Sequence, residues 1–201
     1  MRVTVIDYKA GNLASVVKAL GHLGAEVLVA DRPEPLREAE RIVLPGVGHF
    51  AATKRLDETD LTPAIRDAIA RQVPFLGICV GLQWLMEGST EAPEQRGLGH
   101  FRGYCVRFPE GREKVPHVGW NSLEPRAGSR LLAGVASGDY AYFTHSYRVL
   151  VSEVTVAETD YIDRFAGAVE EGNVMGVQFH PEKSGETGLK ILRNFLEMEP
   201  C

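Results

Sequence analysis

The sequence predicts an α/β fold: a mostly parallel central sheet flanked by helices, with antiparallel or mixed strands in its C-terminal half. Two observations carry that reading. Over roughly the first hundred residues, short apolar runs alternate with helical periodicity, the pattern of right-handed βαβ units that cover both faces of a parallel sheet. Beyond about residue 100 the runs shorten into strands separated by turns, which reads as antiparallel pairing. A third observation draws attention to one point of that sheet: the apolar run ending in Gly77-Ile78-Cys79-Val80-Gly81, where a single cysteine sits between glycines.

Val3–Tyr8 reads as the first strand, and Asn12 as the cap of a helix with Leu13, Val16, Val17, Leu20 and Leu23 on one face. Gly24 ends that helix. Glu26–Ala30 and Arg41–Leu44 read as the second and third strands. Leu61–Arg71 has helical periodicity and leads into the strand before Cys79, after which Leu82, Leu85 and Met86 mark another helix. In the second half, strands are expected over Phe101–Phe108, Ala141–Leu150, Val154–Glu158, Phe165–Glu170 and Val174–Phe179, with a turn at Gly172-Asn173. A helix over Gly188–Glu197 closes the chain. No repeat, low-complexity tract or linker interrupts the pattern, so one domain over 1–201 is expected.

Composition narrows the function classes. The chain has 201 residues and is 44% hydrophobic, which suits a soluble globular domain with a sizeable core. Its net charge of -5 argues against nucleic-acid binding, and no apolar run has the length of a membrane span. The strand pattern begins at the N-terminus, so no signal peptide is expected there. Cys79, Cys105 and Cys201 lack C-x-x-C spacing, which fits a reducing cytoplasm better than a disulfide framework. The histidines form no H-E-x-x-H pattern, so no metal and no cofactor is implied.

The cysteine segment has the layout of a nucleophile elbow, a sharp strand-to-helix turn that lifts a reactive side chain above the sheet. Gly77 and Gly81 suit a turn too tight for side chains, and the following helix N-terminus favours thiolate. Read alone, Cys79 is a small buried core residue. The second half of the chain offers it partners. In Gly176-Val177-Gln178-Phe179-His180-Pro181-Glu182, an extended segment would turn His180 and Glu182 to one face. A carboxylate beside an imidazole holds the tautomer a general base needs, so Cys79, His180 and Glu182 make a candidate triad. Taken by itself, a histidine before proline merely ends a strand. Leu44-Pro45-Gly46-Val47-Gly48 is either a plain strand-ending turn or an oxyanion loop, in which N–H groups near Val47 and at Val80 would face a developing alkoxide. The chemistry implied is thiolate attack on a carbonyl, a thioester, and its hydrolysis, with an amide, an ester or a peptide as substrate.

The elbow G-I-C-V-G-L-Q with a distant H-P-E resembles the class I (triad) glutamine amidotransferases, flavodoxin-like in fold. Ile6–Leu13, Pro45–Phe50, Val115–Asn121, Tyr142–Tyr147 and the final H-P-E-K-S resemble, more narrowly, the glutaminase-subunit family of imidazole glycerol phosphate synthases. The likeness runs from the first strand to the last helix; Val80 and Leu82 depart from the commoner leucine and methionine, and neither side chain is needed for the chemistry. It implies that Cys79 is the nucleophile, His180 the acid and base, and Glu182 the orienting carboxylate. Glutamine would lie against Gly46–Gly48 and the strand of His145, Ser146 and Tyr147, with Gln83 and Glu91 at its α-amino and α-carboxylate end. Without the likeness, Gln83 is a helix-surface amide and Glu91 a solvated loop charge.

A partner is implied as well, because released ammonia is lost to protonation unless a consuming site lies close by. The family partner is a (β/α)8-barrel cyclase subunit, and Asn12, Trp120, Tyr142 and Lys183 match positions facing it. The plain alternative for Trp120 and Tyr142 is core packing. Three rival readings remain: a glutaminase subunit for anthranilate, aminodeoxychorismate or pyridoxal phosphate synthesis, a non-catalytic regulatory subunit, and a cysteine peptidase.

Overall fold

The computed structural model describes residues 1–111 and 113–199, so Cys201 lies outside the described residues. The first half lays down β1 (Arg2–Ile6), α1 (Leu13–His22), β2 (Glu26–Ala30) and β3 (Ile42–Leu44). It continues through α2 (Lys54–Glu58), α3 (Leu61–Ala70), β4 (Phe75–Ile78) and α4 (Val80–Leu85). Then come β5 (Gly88–Ser89), β6 (Tyr104–Arg107), β7 (His117–Ser122), β8 (Glu124–Pro125), β9 (Tyr140–His145) and β10 (Tyr147–Arg148). The chain ends with β11 (Thr155–Asp160), β12 (Arg164–Glu171), β13 (Val174–Val177) and α5 (Gly185–Glu197).

One sheet of eight strands organises the molecule, in the order β2-β1-β3-β4-β13-β12-β11-β8. From β2 to β13 every pairing is parallel; from β13 outward the pairing turns antiparallel. The expected α/β architecture, with its change of character in the second half, is the one observed. Alternation along the strands feeds two cores. Val3, Val5, Val43, Leu76 and Ile78 pack toward α1 and α5, while Ile6, Ile42, Leu44 and Phe75 pack toward α3 and α4. Strands buried on both faces need no polar face, which is why β4 and β13 read as continuous apolar runs.

The departures have local causes. The first strand stops at Ile6, because Asp7 folds back to hold the Lys9 amide at 2.8 Å in a turn. The single strand expected over Ala141–Leu150 is two: it breaks at Ser146, with β9 pairing β7 in a two-stranded ribbon and β10 pairing β6 in a separate sheet. Of Phe101–Phe108 only Tyr104–Arg107 is strand, preceded by Gly103 at φ +99°. The terminal helix starts three residues earlier than expected, at Gly185. Among the described residues no helix is long and apolar enough to cross a membrane, and no group of three or more His, Cys, Asp or Glu side chains is placed to hold a metal.

What the topology achieves is convergence. Ligands bind at the carboxyl ends of parallel strands, and here those ends deliver four loops to one place. The loop after β1 carries Asn12, the one after β3 carries Gly46–Gly48, β4 ends at Cys79, and β13 leads to His180. Register does the last part: Val177 pairs with Ile78, and the Cys79 amide donates to the Val177 carbonyl at 2.8 Å, so Cys79 and Gln178 emerge side by side.

Candidate active site

Cys79 occupies the turn between β4 and α4 at φ +53° and ψ -106°, a conformation that non-glycine residues rarely adopt. The glycines around it are there because of close approach. A Cβ on Gly77 would lie 2.6 Å from the Gly81 backbone, and one on Gly81 would lie 2.0 Å from the Leu44 carbonyl oxygen. Strain held this firmly at a strand-to-helix turn is the signature of a nucleophile elbow.

His180 and Glu182 meet, though not through an extended segment. Pro181–Lys183 forms a 3-10 turn, and the turn brings His180 Nδ1 to 2.9 Å from Glu182 Oε1 with both side chains fully buried. The His180 amide donates to the Tyr142 carbonyl at 2.8 Å, which ties the triad corner to β9. With Nδ1–H given to the carboxylate, Nε2 is the basic nitrogen; it lies beside the Cys79 sulfur without meeting hydrogen-bond geometry. Burial by itself would depress this imidazole. The Cys79 sulfur and the Glu182 carboxylate outweigh that and raise its pKa to about 9. Such contacts tighten when substrate binds.

Asn12, expected to face a partner, makes an inward contact. It holds the helix-capping position at φ +75° but makes no capping bond. Its Nδ2 donates instead to Glu182 Oε1 and lies 3.2 Å from His180 Nδ1. Because Nδ1 already donates to the carboxylate, the second contact is proximity rather than a hydrogen bond.

The loop after β3, the candidate oxyanion loop, closes against Val80. The Val80 N–H donates to the Gly46 carbonyl at 3.4 Å, so this N–H is already taken by the loop. Gly46 is tightly packed: a Cβ there would lie 2.3 Å from the Tyr8 hydroxyl and 2.9 Å from Val80 Cβ. Gly48 is the opposite, at φ +96° with open space around it. Val47, between them, is half-buried.

A cavity of about 210 Å³ opens beside Cys79, lined by Gly48, Cys79, Val80, Gln83, Glu91, His145, Ser146 and Tyr147, with Pro116 and Thr144. A roomier concavity of about 560 Å³ around His100, Arg102 and Glu171 lies elsewhere and holds no comparable constellation. Gln83 is not the surface amide that its helical position alone suggests. It is buried, and Nε2 donates to the Tyr147 carbonyl at 3.0 Å and to Gln178 Oε1 at 3.3 Å, leaving Oε1 for the cavity. Glu91, which also lines the cavity, accepts the Phe50 amide at 2.7 Å through Oε2.

The sequence reading missed Gln178, whose Nε2 donates to Cys79 Sγ at 3.6 Å, and the buried His117. The signal for Gln178 was present, since it follows the strand that pairs with the one before Cys79. On the outside, Trp120 is 55% exposed, flanked on the same ribbon face by Val118 and Tyr140 at 57% each. Its ring stands 6.0 Å from the half-buried Tyr142, and Lys183 Nζ lies 6.0 Å over the Tyr142 ring. Core packing is therefore excluded for Trp120. Cys105 is buried and donates weakly to the Gln83 carbonyl at 3.7 Å; burial pushes its thiol pKa up, away from reactivity.

A buried cysteine on a strained elbow, backed by a histidine and a glutamate at the carboxyl ends of parallel strands, has the layout of a triad acyl-transfer site. The family model for class-I glutamine amidotransferases matches residues 4–198. Solved structures with the same fold include a glutamine amidotransferase with TM-score 0.77, 23% identity and 97% of each chain covered. Another is the Trypanosoma brucei CTPS glutaminase domain with bound acivicin, with TM-score 0.68, 16% identity, and 99% of this chain and 95% of that one covered. Among curated relatives, the imidazole glycerol phosphate synthase subunit HisH of Methanopyrus kandleri is 46% identical over 200 residues, 98% of both chains. That of Aquifex aeolicus is 48% identical over 199 residues, 97% of this chain and 96% of the other. The chain belongs to the class-I glutamine amidotransferases and, within them, to the HisH family of imidazole glycerol phosphate synthase subunits.

Proposed function

We propose that this chain is the glutaminase subunit of an imidazole glycerol phosphate synthase: it hydrolyses L-glutamine to glutamate and ammonia for histidine biosynthesis. It passes the ammonia to a (β/α)8-barrel cyclase subunit. The observation that carries this reading is Cys79 at φ +53° beside the buried His180–Glu182 pair. The Cys79 thiolate attacks the side-chain amide carbon of glutamine. Protonated His180 gives its Nε2 proton to the leaving nitrogen, releasing ammonia and leaving a thioester. His180 then takes a proton from water, the hydroxide attacks the thioester, and glutamate leaves as the thiolate is restored. Glu182 holds the imidazole throughout. Glu91 Oε1 and Gln83 Oε1 receive the substrate ammonium, and Gly46, Gly48, His145, Ser146 and Tyr147 shape the rest of the pocket.

Val80 N–H is one oxyanion donor and Val47 N–H the other, once the Gly46–Val47 peptide has turned. In the closed loop the Gly46 carbonyl takes the first donor, which would keep the subunit quiet until a partner turns the loop. Gly48 follows that peptide, and its positive φ is one a β-branched residue cannot adopt without strain. Gly48→Val is expected to abolish stimulated turnover while leaving partner binding intact; unchanged stimulation would sink the turning-loop mechanism. Trp120, Tyr142, Lys183 and Asn12 face the cyclase in this reading. A single domain in the cytoplasm is part of the same reading, supported by the buried free thiols of Cys79 and Cys105.

The test is glutamate release by this chain alone, with the barrel cyclase, and with the cyclase plus its nucleotide ligand, for wild type and Cys79→Ala. Strong release only in the third case, lost in Cys79→Ala while ammonia-dependent synthesis persists, is the expected outcome. Loss of ammonia-dependent synthesis as well would make Cys79 structural.

A further inference from the structure

The P-H-V-G-W-N segment does more than expose Trp120, because its histidine is buried on the inner face of the same ribbon. His117 pairs with His145 in the β7–β9 register, and its Nδ1 lies 3.1 Å from His145 Nε2. The chemistry of the flanking atoms fixes every proton in this contact. A carbonyl oxygen can only accept, so His145 Nδ1, 2.9 Å from the Tyr147 carbonyl, carries its hydrogen. Neutral His145 then accepts at Nε2, and His117 donates from Nδ1. His117 Nε2 is left to accept from Asn121 Nδ2 at 3.4 Å. The Asn121 amide is oriented independently: its oxygen accepts the Ser122 N–H and its Nδ2 also donates to the Asp160 carbonyl, each at 2.8 Å.

The line does not stop at Tyr147. The same carbonyl takes Gln83 Nε2, which also donates to Gln178 Oε1, and Gln178 Nε2 points at Cys79 Sγ. Six side chains and one carbonyl thus join the ribbon under Trp120 to the glutamine pocket and the nucleophile. Simple packing does not account for a histidine at 117. Its ring stacks on Tyr161 at 3.9 Å and on Phe143 at 4.9 Å, both at 21°. Phenylalanine would fill that stack with no polar atoms to remove from water. A histidine here is justified by what its two nitrogens hold. Both rings are neutral, burial pushing His117 down to about 4 and His145 to about 3.

We infer that His117 is a positioning residue for glutamine: through His145 it fixes the Tyr147 carbonyl, and with it the Gln83 amide that lines the pocket. The inference rests on the glutaminase reading, since it assigns the pocket to that substrate.

The experiment compares wild type, His117→Phe and His117→Gln in the activated complex with the cyclase and its nucleotide, with nitrogen-15 NMR of the histidines in the chain alone. Phenylalanine keeps the stack and loses the donor; a glutamine amide can supply a donor to His145 Nε2 again. The expected result is a glutamine KM raised about five- to tenfold in His117→Phe, the scale of one buried hydrogen bond. His117→Gln should recover much of it, and kcat should change less than KM. Wild-type spectra at neutral pH should show both rings neutral with hydrogen on Nδ1. Equal KM in wild type and His117→Phe, equal damage in both variants, or hydrogen on Nε2 of His145 would each overturn the inference. A wild-type complex without glutaminase activity would bring down the functional reading first, and this inference with it, before any variant is compared.

Discussion

Two buried histidines a short distance apart have been driven in opposite directions. His180 is 0% exposed with its pKa raised to about 9; His145 is 6% exposed with its pKa lowered to about 3. Burial is nearly the same in both, and in both it works against the charged form. The difference lies in what each ring faces. His180 has a carboxylate on one nitrogen and a cysteine sulfur by the other, so a positive charge is welcome there. His145 has a carbonyl on one nitrogen, a neutral imidazole on the other, and the Arg148 cation nearby. One ring is equipped to move protons, and the other to hold a hydrogen-bond pattern without moving any. Burial does not separate the two rings; their partners do.

The strongest way to break this contrast is to take the carboxylate away. Glu182→Gln removes the charge that favours imidazolium, and an amide can also turn its N–H toward Nδ1 and favour the wrong tautomer. Glutaminase turnover of the activated complex is expected to fall by roughly 100- to 10,000-fold. Residual acylation of Cys79 by a glutamine-mimicking electrophile should survive, because the nucleophile and oxyanion donors remain. Wild-type turnover would remove Glu182 from the mechanism.

The contrast also predicts the shape of the stability curve. His117 and His145 are depressed below the ordinary imidazole value of 6.5, so below that pH the unfolded chain takes up protons that the folded chain refuses. Their contribution is whole above pH 6.5 and is lost as pH falls toward about 4 and about 3. His180 works the other way: its contribution is whole below 6.5 and is lost as pH rises through about 9. Each limb amounts to on the order of a few kcal/mol, at about 1.4 kcal/mol for every tenfold change in proton affinity. Urea unfolding from pH 4.5 to 9 should therefore show a maximum near neutrality. His117→Phe should flatten the acid limb, and Cys79→Ala, which removes the sulfur that raises His180, the alkaline one. Limbs untouched by these variants would mean that other groups set the curve.

Much of this was legible in the sequence, for physical reasons that differ from place to place. The elbow was readable because close backbone approach demands glycine at 77 and 81, and glycine is visible in a sequence. The candidate triad was readable because such chemistry restricts residue type. The β7–β9 ribbon was not, since His117–Ser122 carries a glycine, a tryptophan and an asparagine in place of an apolar alternation. What orders it is pairing with β9, a strand separated from it by a long stretch of chain. Helical periodicity put Gln83 on a surface, whereas the sheet edge above α4 buries it. The route by which His180 meets Glu182 was misread too: two residues apart suited a strand, but Pro181 opens a 3-10 turn.

Asn12 gives the smallest expected effect and separates two roles that the sequence could not distinguish. Its amide donates to the same Glu182 oxygen that receives His180 Nδ1, while Glu182 Oε2 has no partner. Without Asn12 the carboxylate is held by the imidazole alone and can rotate its unpartnered oxygen into the pair. Asn12→Leu should therefore lower kcat by about tenfold at saturating cyclase, with little change in glutamine KM, the scale expected for one hydrogen bond to a charged group. The cyclase titration read in the same assay decides the rest. A weakened association with normal kcat at saturation would place Asn12 at the interface only, and its contact with Glu182 would be incidental. A lowered kcat with normal association would make it the fourth member of the catalytic line, holding the carboxylate that makes His180 differ from His145.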